Sequence, residues 1–113
     1  MVEHAARQLC RLNRRFRLRG LGRVLRRLAA YSEALRAIPV PMTDGRVLYL
    51  DLRDSTCLTY YLFGEIPTDR WETAFVRSVM KPGEAAIDVG AFVGWYSTLL
   101  AEAVGLAGEV HAF

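Results

Sequence analysis

A chain of 113 residues holds one small domain at most, and a hydrophobic content of 52% supplies a core, which excludes wholesale disorder. The net charge of +3 hides a split: residues 1–38 carry ten arginines against two acids, and residues 39–113 carry five basic against ten acidic groups. Cys10 and Cys57 are the only cysteines and form no C-x-x-C pair, so neither a zinc site nor a redox motif is indicated.

The first 38 residues read as a basic helical leader. Leu9, Leu12 and Phe16 share one helix face, Leu21, Leu25, Leu28 and Leu35 share another, and Gly20 with Gly22 divides the segment into two helices. Such a leader packs its apolar stripe on the domain, or lies on an anionic membrane as a peripheral contact. Nucleic-acid binding is not expected, because no aromatic residues interleave the arginines in a known pattern. A transit peptide fits the arginine excess, but Ser32 is the sole serine there. The start has no apolar signal core, which together with two unpaired thiols points to the cytoplasm. The longest uncharged run, Val89 to Ala101, is too short to span a bilayer.

Pro39 and Pro41 end the helical region. Asp44-Gly45 marks a turn, and Arg46 to Arg53 then alternates Leu48, Leu50 and Leu52 with Tyr49 as a strand does. Ser55 reads as the N-cap of a short helix through Phe63, with Leu58, Tyr61 and Leu62 facing inward and Gly64 closing it. Asp69 and Glu72 open the next helix in the manner of a capping box, with Trp71, Phe75 and Val79 on one stripe. Lys81-Pro82-Gly83 stops it.

Ala85 to Gly94, AAIDVGAFVG, organises the carboxyl-terminal part of the chain. An apolar run ending at an acid and a glycine reads as a buried strand of a parallel sheet, and Trp95 to Val104 as the helix after it. Strand, glycine turn and helix form the start of a βαβ unit that takes a ligand at the helix N-terminus. Gly90 permits the sharp turn and a close ligand approach, Gly94 lets the helix pack against the strand, and Asp88 accepts from an amine or a hydroxyl. The dinucleotide spacing G-x-G-x-x-G is absent. Ser97 and Thr98, in the first helical turns, bond back to preceding carbonyls, or Ser97 lines the ligand pocket. Trp95 and Tyr96 read as packing residues. Gly105 and Gly108 bracket the helix end, and Glu109 to Phe113 begins a second parallel strand that carries His111. No second ligand accompanies His111, so no metal site is expected.

IDVGAFVGWYSTLLA followed by GEVHAF resembles the FkbM family of S-adenosylmethionine (SAM) methyltransferases, whose usual stretch runs D-V-G-A-N-x-G, then aromatics, a hydroxyl residue and Leu-Leu-Ala. The resemblance covers roughly Asp44 to Phe113, and Phe92 stands where the family has Asn. It implies the amino-terminal portion of a Rossmann-like class I α/β fold over residues 39–113, truncated in the second core strand. It also implies SAM as cofactor, held by Asp88, Gly90, Ala91, Phe92, Gly94 and Ser97, and O-methyl transfer to a sugar or natural-product hydroxyl. The family continues past this point with Glu-Pro, whose acid would hold the cofactor ribose, so the 113-residue chain alone is expected to bind SAM weakly or not at all and to be inactive. No residue present is assigned as the catalytic base. Two other readings stand beside this one: a NAD- or nucleotide-sugar-binding Rossmann fragment, and a non-enzymatic membrane-surface or interaction module led by the arginine-rich helices.

Overall fold

The computed structural model describes residues 1 and 4–113 with their side chains, and residues 2 and 3 by their backbone. The chain is mixed α/β, with helices α1 (Val2–Phe16), α2 (Leu21–Tyr31), α3 (Ser55–Phe63), α4 (Arg70–Val79) and α5 (Trp95–Val104). Its strands are β1 (Ile38–Pro41), β2 (Val47–Leu50), β3 (Ala85–Asp88) and β4 (Glu109–Ala112). They form two separate two-stranded sheets, β1–β2 and β3–β4, and no continuous parallel sheet joins them among the described residues. Two compact units result, residues 1–66 and residues 67–113.

In the first unit the arginine-rich helices are part of the core. α1 packs on β1 and α3 through Ala6, Cys10 and Asn13, all buried, whereas Leu12 and Phe16 of the expected apolar face are exposed. Small side chains allow this close approach. The buried Tyr61 hydroxyl donates to Ala6 O at 2.6 Å, and Cys10 Sγ lies 3.2 Å from Tyr61 O. α2 buries Leu25 and Ala29 but leaves Leu28 outside. Hence the boundary of the compact unit falls after Ile66.

β1 contains the two prolines expected only to end the helices. β1 and β2 pair antiparallel, with Pro39 opposite Tyr49 and Pro41 opposite Val47. Positions two apart along a strand point their N–H groups the same way. The prolines therefore share the side that needs no donor, as an edge strand permits. The β2 ladder is shorter than the expected 46–53, because Asp51 turns the chain by bonding the Arg53 backbone and guanidinium. Asp54, not Ser55, caps α3: its Oδ1 accepts from Thr56 N at 2.8 Å and Cys57 N at 2.9 Å. A carboxylate satisfies two of the orphan N–H groups of the first turn at once.

Arg14 ties the first unit together. Its Nη1 donates to Pro41 O at 2.6 Å, and its Nη2 donates to Tyr60 O at 3.1 Å and Tyr61 O at 3.2 Å. The guanidinium thus serves carbonyls in the last turn of α3, where cations also meet the negative end of the helix dipole. Gly64 makes room for it, since a Cβ there would stand 2.7 Å from Arg14 Cζ.

The second unit is the expected strand–loop–helix–strand. β3 and β4 pair in parallel with Ala85 opposite Glu109 and Asp88 opposite Ala112, and α5 packs on both. Leu99 and Val104 of α5 are buried, as is Trp95. The opposite sheet face is open, with Ile87 at 69% exposure, so β3 is not the buried strand its apolar run suggested. α4 packs on α5, yet its stripe of Trp71, Phe75 and Val79 faces outward. Asp69 sits at the α4 N-cap without a side-chain capping bond, so the capping box is not formed.

Candidate functional site

The candidate site is the turn from β3 into α5. Its shape comes from three residues of positive φ within five positions: Gly90 at 80°, Phe92 at 50° and Gly94 at 82°. Gly90 is required by its backbone, while the space beside it is open: a Cβ there would meet nothing within 4 Å. At Gly94 the expected reason, tight helix-to-strand packing, is not the operative one. A Cβ there would come no nearer than 4.0 Å to Ser97 and Thr98, and the left-handed conformation at the α5 N-cap is what calls for glycine. The close-packed glycine is Gly108, where a Cβ would stand 2.4 Å from Val104 Cβ and 2.6 Å from Glu84 O.

Phe92 holds a backbone conformation that few side chains adopt. Left-handed φ is unfavourable for most L-residues, and Asn is the non-glycine side chain that tolerates it. In this chain the loop imposes that conformation on an exposed phenyl group.

Hydrogen bonds close the loop onto β4. Gly90 N and Ala91 N both donate to Phe113 O, at 2.9 and 3.0 Å, and Phe113 N returns a bond to Asp88 O at 2.9 Å. Gly94 N donates to Ala91 O at 2.8 Å. The amides of Gly90, Ala91 and Gly94 are therefore spent inside the loop, and these residues would serve a ligand by shape.

Asp88 and Ser97 meet across the turn, Ser97 Oγ donating to Asp88 Oδ2 at 2.6 Å. The half-buried carboxylate is thus fixed in orientation at the carboxyl end of β3, beside the α5 N-terminus. Thr98 behaves differently: its hydroxyl bonds back to Gly94 O at 2.7 Å and Trp95 O at 3.2 Å, the self-satisfying arrangement open to a helical hydroxyl. The six sequence-expected residues, Asp88, Gly90, Ala91, Phe92, Gly94 and Ser97, lie between the last residue of β3 and the first turn of α5, with Asp88 and Ser97 directly bonded.

Burial, with the carboxylates of Asp69 and Glu72 nearby, raises the Tyr96 hydroxyl above the ordinary tyrosine value. His111 is exposed and lies 3.4 Å from the Glu109 carboxylate. Among the described residues no group of three or more His, Cys, Asp or Glu side chains could hold a metal ion. A cleft of about 370 Å³ in the first unit is bordered by Asn13, Arg14 and Arg17 with Leu18, Leu62 and Phe63. Two of its polar side chains do structural work: Asn13 bonds Leu62 O and Leu18 N, and Arg14 bonds the carbonyls of Pro41, Tyr60 and Tyr61.

Comparison of the chain with protein-family models, with curated proteins and with solved structures finds no match in any of the three.

Proposed function

We propose that residues 67–113 form the cofactor-gripping start of a SAM-dependent methyltransferase, of the kind that methylates a sugar or natural-product hydroxyl. The observation that carries this reading is the Asp88–Ser97 pair, an acid at the end of a parallel strand held by a hydroxyl from the helix after a glycine loop. A carboxylate so oriented complements the cationic amino group at the methionine end of SAM, and the open space at Gly90 admits a close approach. In methyl transfer an acceptor oxygen attacks the sulfonium methyl, the methyl–sulfur bond breaks, and the acceptor proton leaves to a base. The contribution of this unit is alignment of the cofactor; none of its six cofactor contacts is assigned as the base.

A dinucleotide reading fares worse. Phe92 and Trp95 occupy the two positions where the fingerprint after Gly90 requires glycine, and a phenyl group at the first obstructs backbone approach to a pyrophosphate. Calorimetric titration of the chain with SAM and, in parallel, with NAD tests the proposal. Selective binding of SAM, weakened at least about tenfold by Asp88→Ala, supports it. Preference for NAD, or equal affinity of the Asp88→Ala variant, overturns it.

A further inference from the structure

Burying the narrow stripes Ala6, Cys10 and Asn13 of α1 and Leu25 and Ala29 of α2 leaves larger apolar side chains outside. Leu12 and Phe16 on α1, and Val24, Leu28 and Tyr31 on α2, are between 47% and 92% exposed. Their spacing of three and four residues makes each set a strip along its helix. Exposed arginines run beside these strips, Arg11 and Arg15 on α1 and Arg23 and Arg27 on α2, and the Arg15 guanidinium lies 5.3 Å from the centre of the Phe16 ring. No acidic residue occurs between residues 4 and 32.

We propose that the outer faces of α1 and α2 are a docking surface for anionic lipid bilayers. Aliphatic and aromatic side chains alternating with guanidinium groups are what a helix lying in the headgroup plane presents: the apolar strip enters the acyl boundary while arginines reach the phosphates. Arginine suits the task because its planar fork pairs with phosphate through two hydrogen bonds. Charge complementarity alone would also fit a nucleic acid. Five exposed apolar side chains would gain nothing on a phosphate backbone, and they favour the bilayer. No helix among the described residues is long and apolar enough to cross a membrane, so docking is in-plane. This surface is independent of the β3–α5 turn and of the methyltransferase reading.

The experiment is cosedimentation of the whole chain with vesicles of phosphatidylcholine alone and of phosphatidylcholine with phosphatidylglycerol, across a salt series. Binding to the anionic vesicles, falling with salt and at least about tenfold weaker on phosphatidylcholine alone, is the expected result. Phe16→Ser combined with Leu28→Ser should weaken it at least about tenfold with an unchanged circular-dichroism spectrum. Arg11→Gln with Arg15→Gln should weaken it comparably. If the double serine variant loses its fold, Tyr31→Ser, at a 92% exposed position, carries the same test. Phe75→Ser, on the exposed stripe of α4, should leave binding unchanged. No binding to anionic vesicles overturns the proposal. So does a loss seen with Phe75→Ser but not with the α1 and α2 variants. Tighter binding of a DNA duplex, indifferent to the serine substitutions, would assign the surface to nucleic acid instead.

Discussion

Replacing Arg14 by alanine removes the group on which three carbonyls of the first unit depend. The side chain reaches Pro41 O at 2.6 Å, Tyr60 O at 3.1 Å and Tyr61 O at 3.2 Å, and so joins α1 to the end of β1 and the last turn of α3. A hydrogen bond from a charged donor is worth about 1.5–3 kcal/mol net. Three do not add in full: the site is half-buried, Tyr60 O also accepts from Gly64 N at 2.7 Å, and water can reach part of the vacated space. A loss of about 2–4 kcal/mol is expected, a large share of the roughly 5–15 kcal/mol that holds a domain together. Arg14→Lys should recover less than half of it, because a compact ammonium cannot span three acceptors on two elements. Arg11→Ala, at an exposed position of the same helix, should stay within about 0.5 kcal/mol of the parent chain. Urea denaturation followed by far-ultraviolet circular dichroism measures all three. An Arg14→Ala cost below about 1 kcal/mol, or one matching Arg11→Ala, would refute the integration of α1 into the core.

Phe92→Asn should stabilise the second unit by about 0.5–1 kcal/mol by relieving the strain of positive φ, read from the urea midpoint of tryptophan fluorescence, Trp95 being buried there; a lower midpoint would contradict the strain argument. Gly108→Ala should destabilise the same unit by about 1–3 kcal/mol, because the new methyl meets the Val104 side chain and the Glu84 carbonyl, and hydrogen exchange should show lost protection along β3 and β4. Burial first, with the Asp54 carboxylate adding to it, pushes the Cys57 thiol up from 9.0 to about 11. The unfolded thiol ionises at the lower value, so this contribution to stability is whole below pH 9 and is lost as the pH rises toward 11. Thiolate absorbance should therefore lag well behind that of a free thiol in the folded chain, and a midpoint near 9 without unfolding would contradict the burial of Cys57.

The β3–α5–β4 segment was legible because its signals are local: an apolar run, a glycine turn, an uncharged helical stretch and a second short apolar run succeed one another directly. The six candidate residues fall close together for the same reason, lying within ten residues of sequence. The α1 packing was not. Hydrophobicity favours Leu12 and Phe16, whereas the close contact with β1 and α3 selects small Ala6 and Cys10 and a hydrogen-bonding Asn13. Long-range partners decide which face is buried, and no local pattern contains them. The prolines of β1 read as breakers because a ladder's unbonded side is visible only once β2 is in place. The roles of Arg14 and Gly108 likewise depend on acceptors or neighbours distant in sequence, whereas Ser97 becomes informative only when Asp88 stands opposite it.

The most direct test of the cofactor reading is a residue-resolved one, an amide nuclear magnetic resonance titration of the chain with S-adenosylhomocysteine, the product that lacks the reactive methyl. The account predicts weak saturable binding, with the largest shifts at Asp88, Gly90, Ala91, Phe92, Gly94 and Ser97, and their loss in Gly90→Val, where a branched side chain is forced onto a φ of 80°. Shifts confined to residues 1–66, or none at the β3–α5 turn at millimolar ligand, would contradict it.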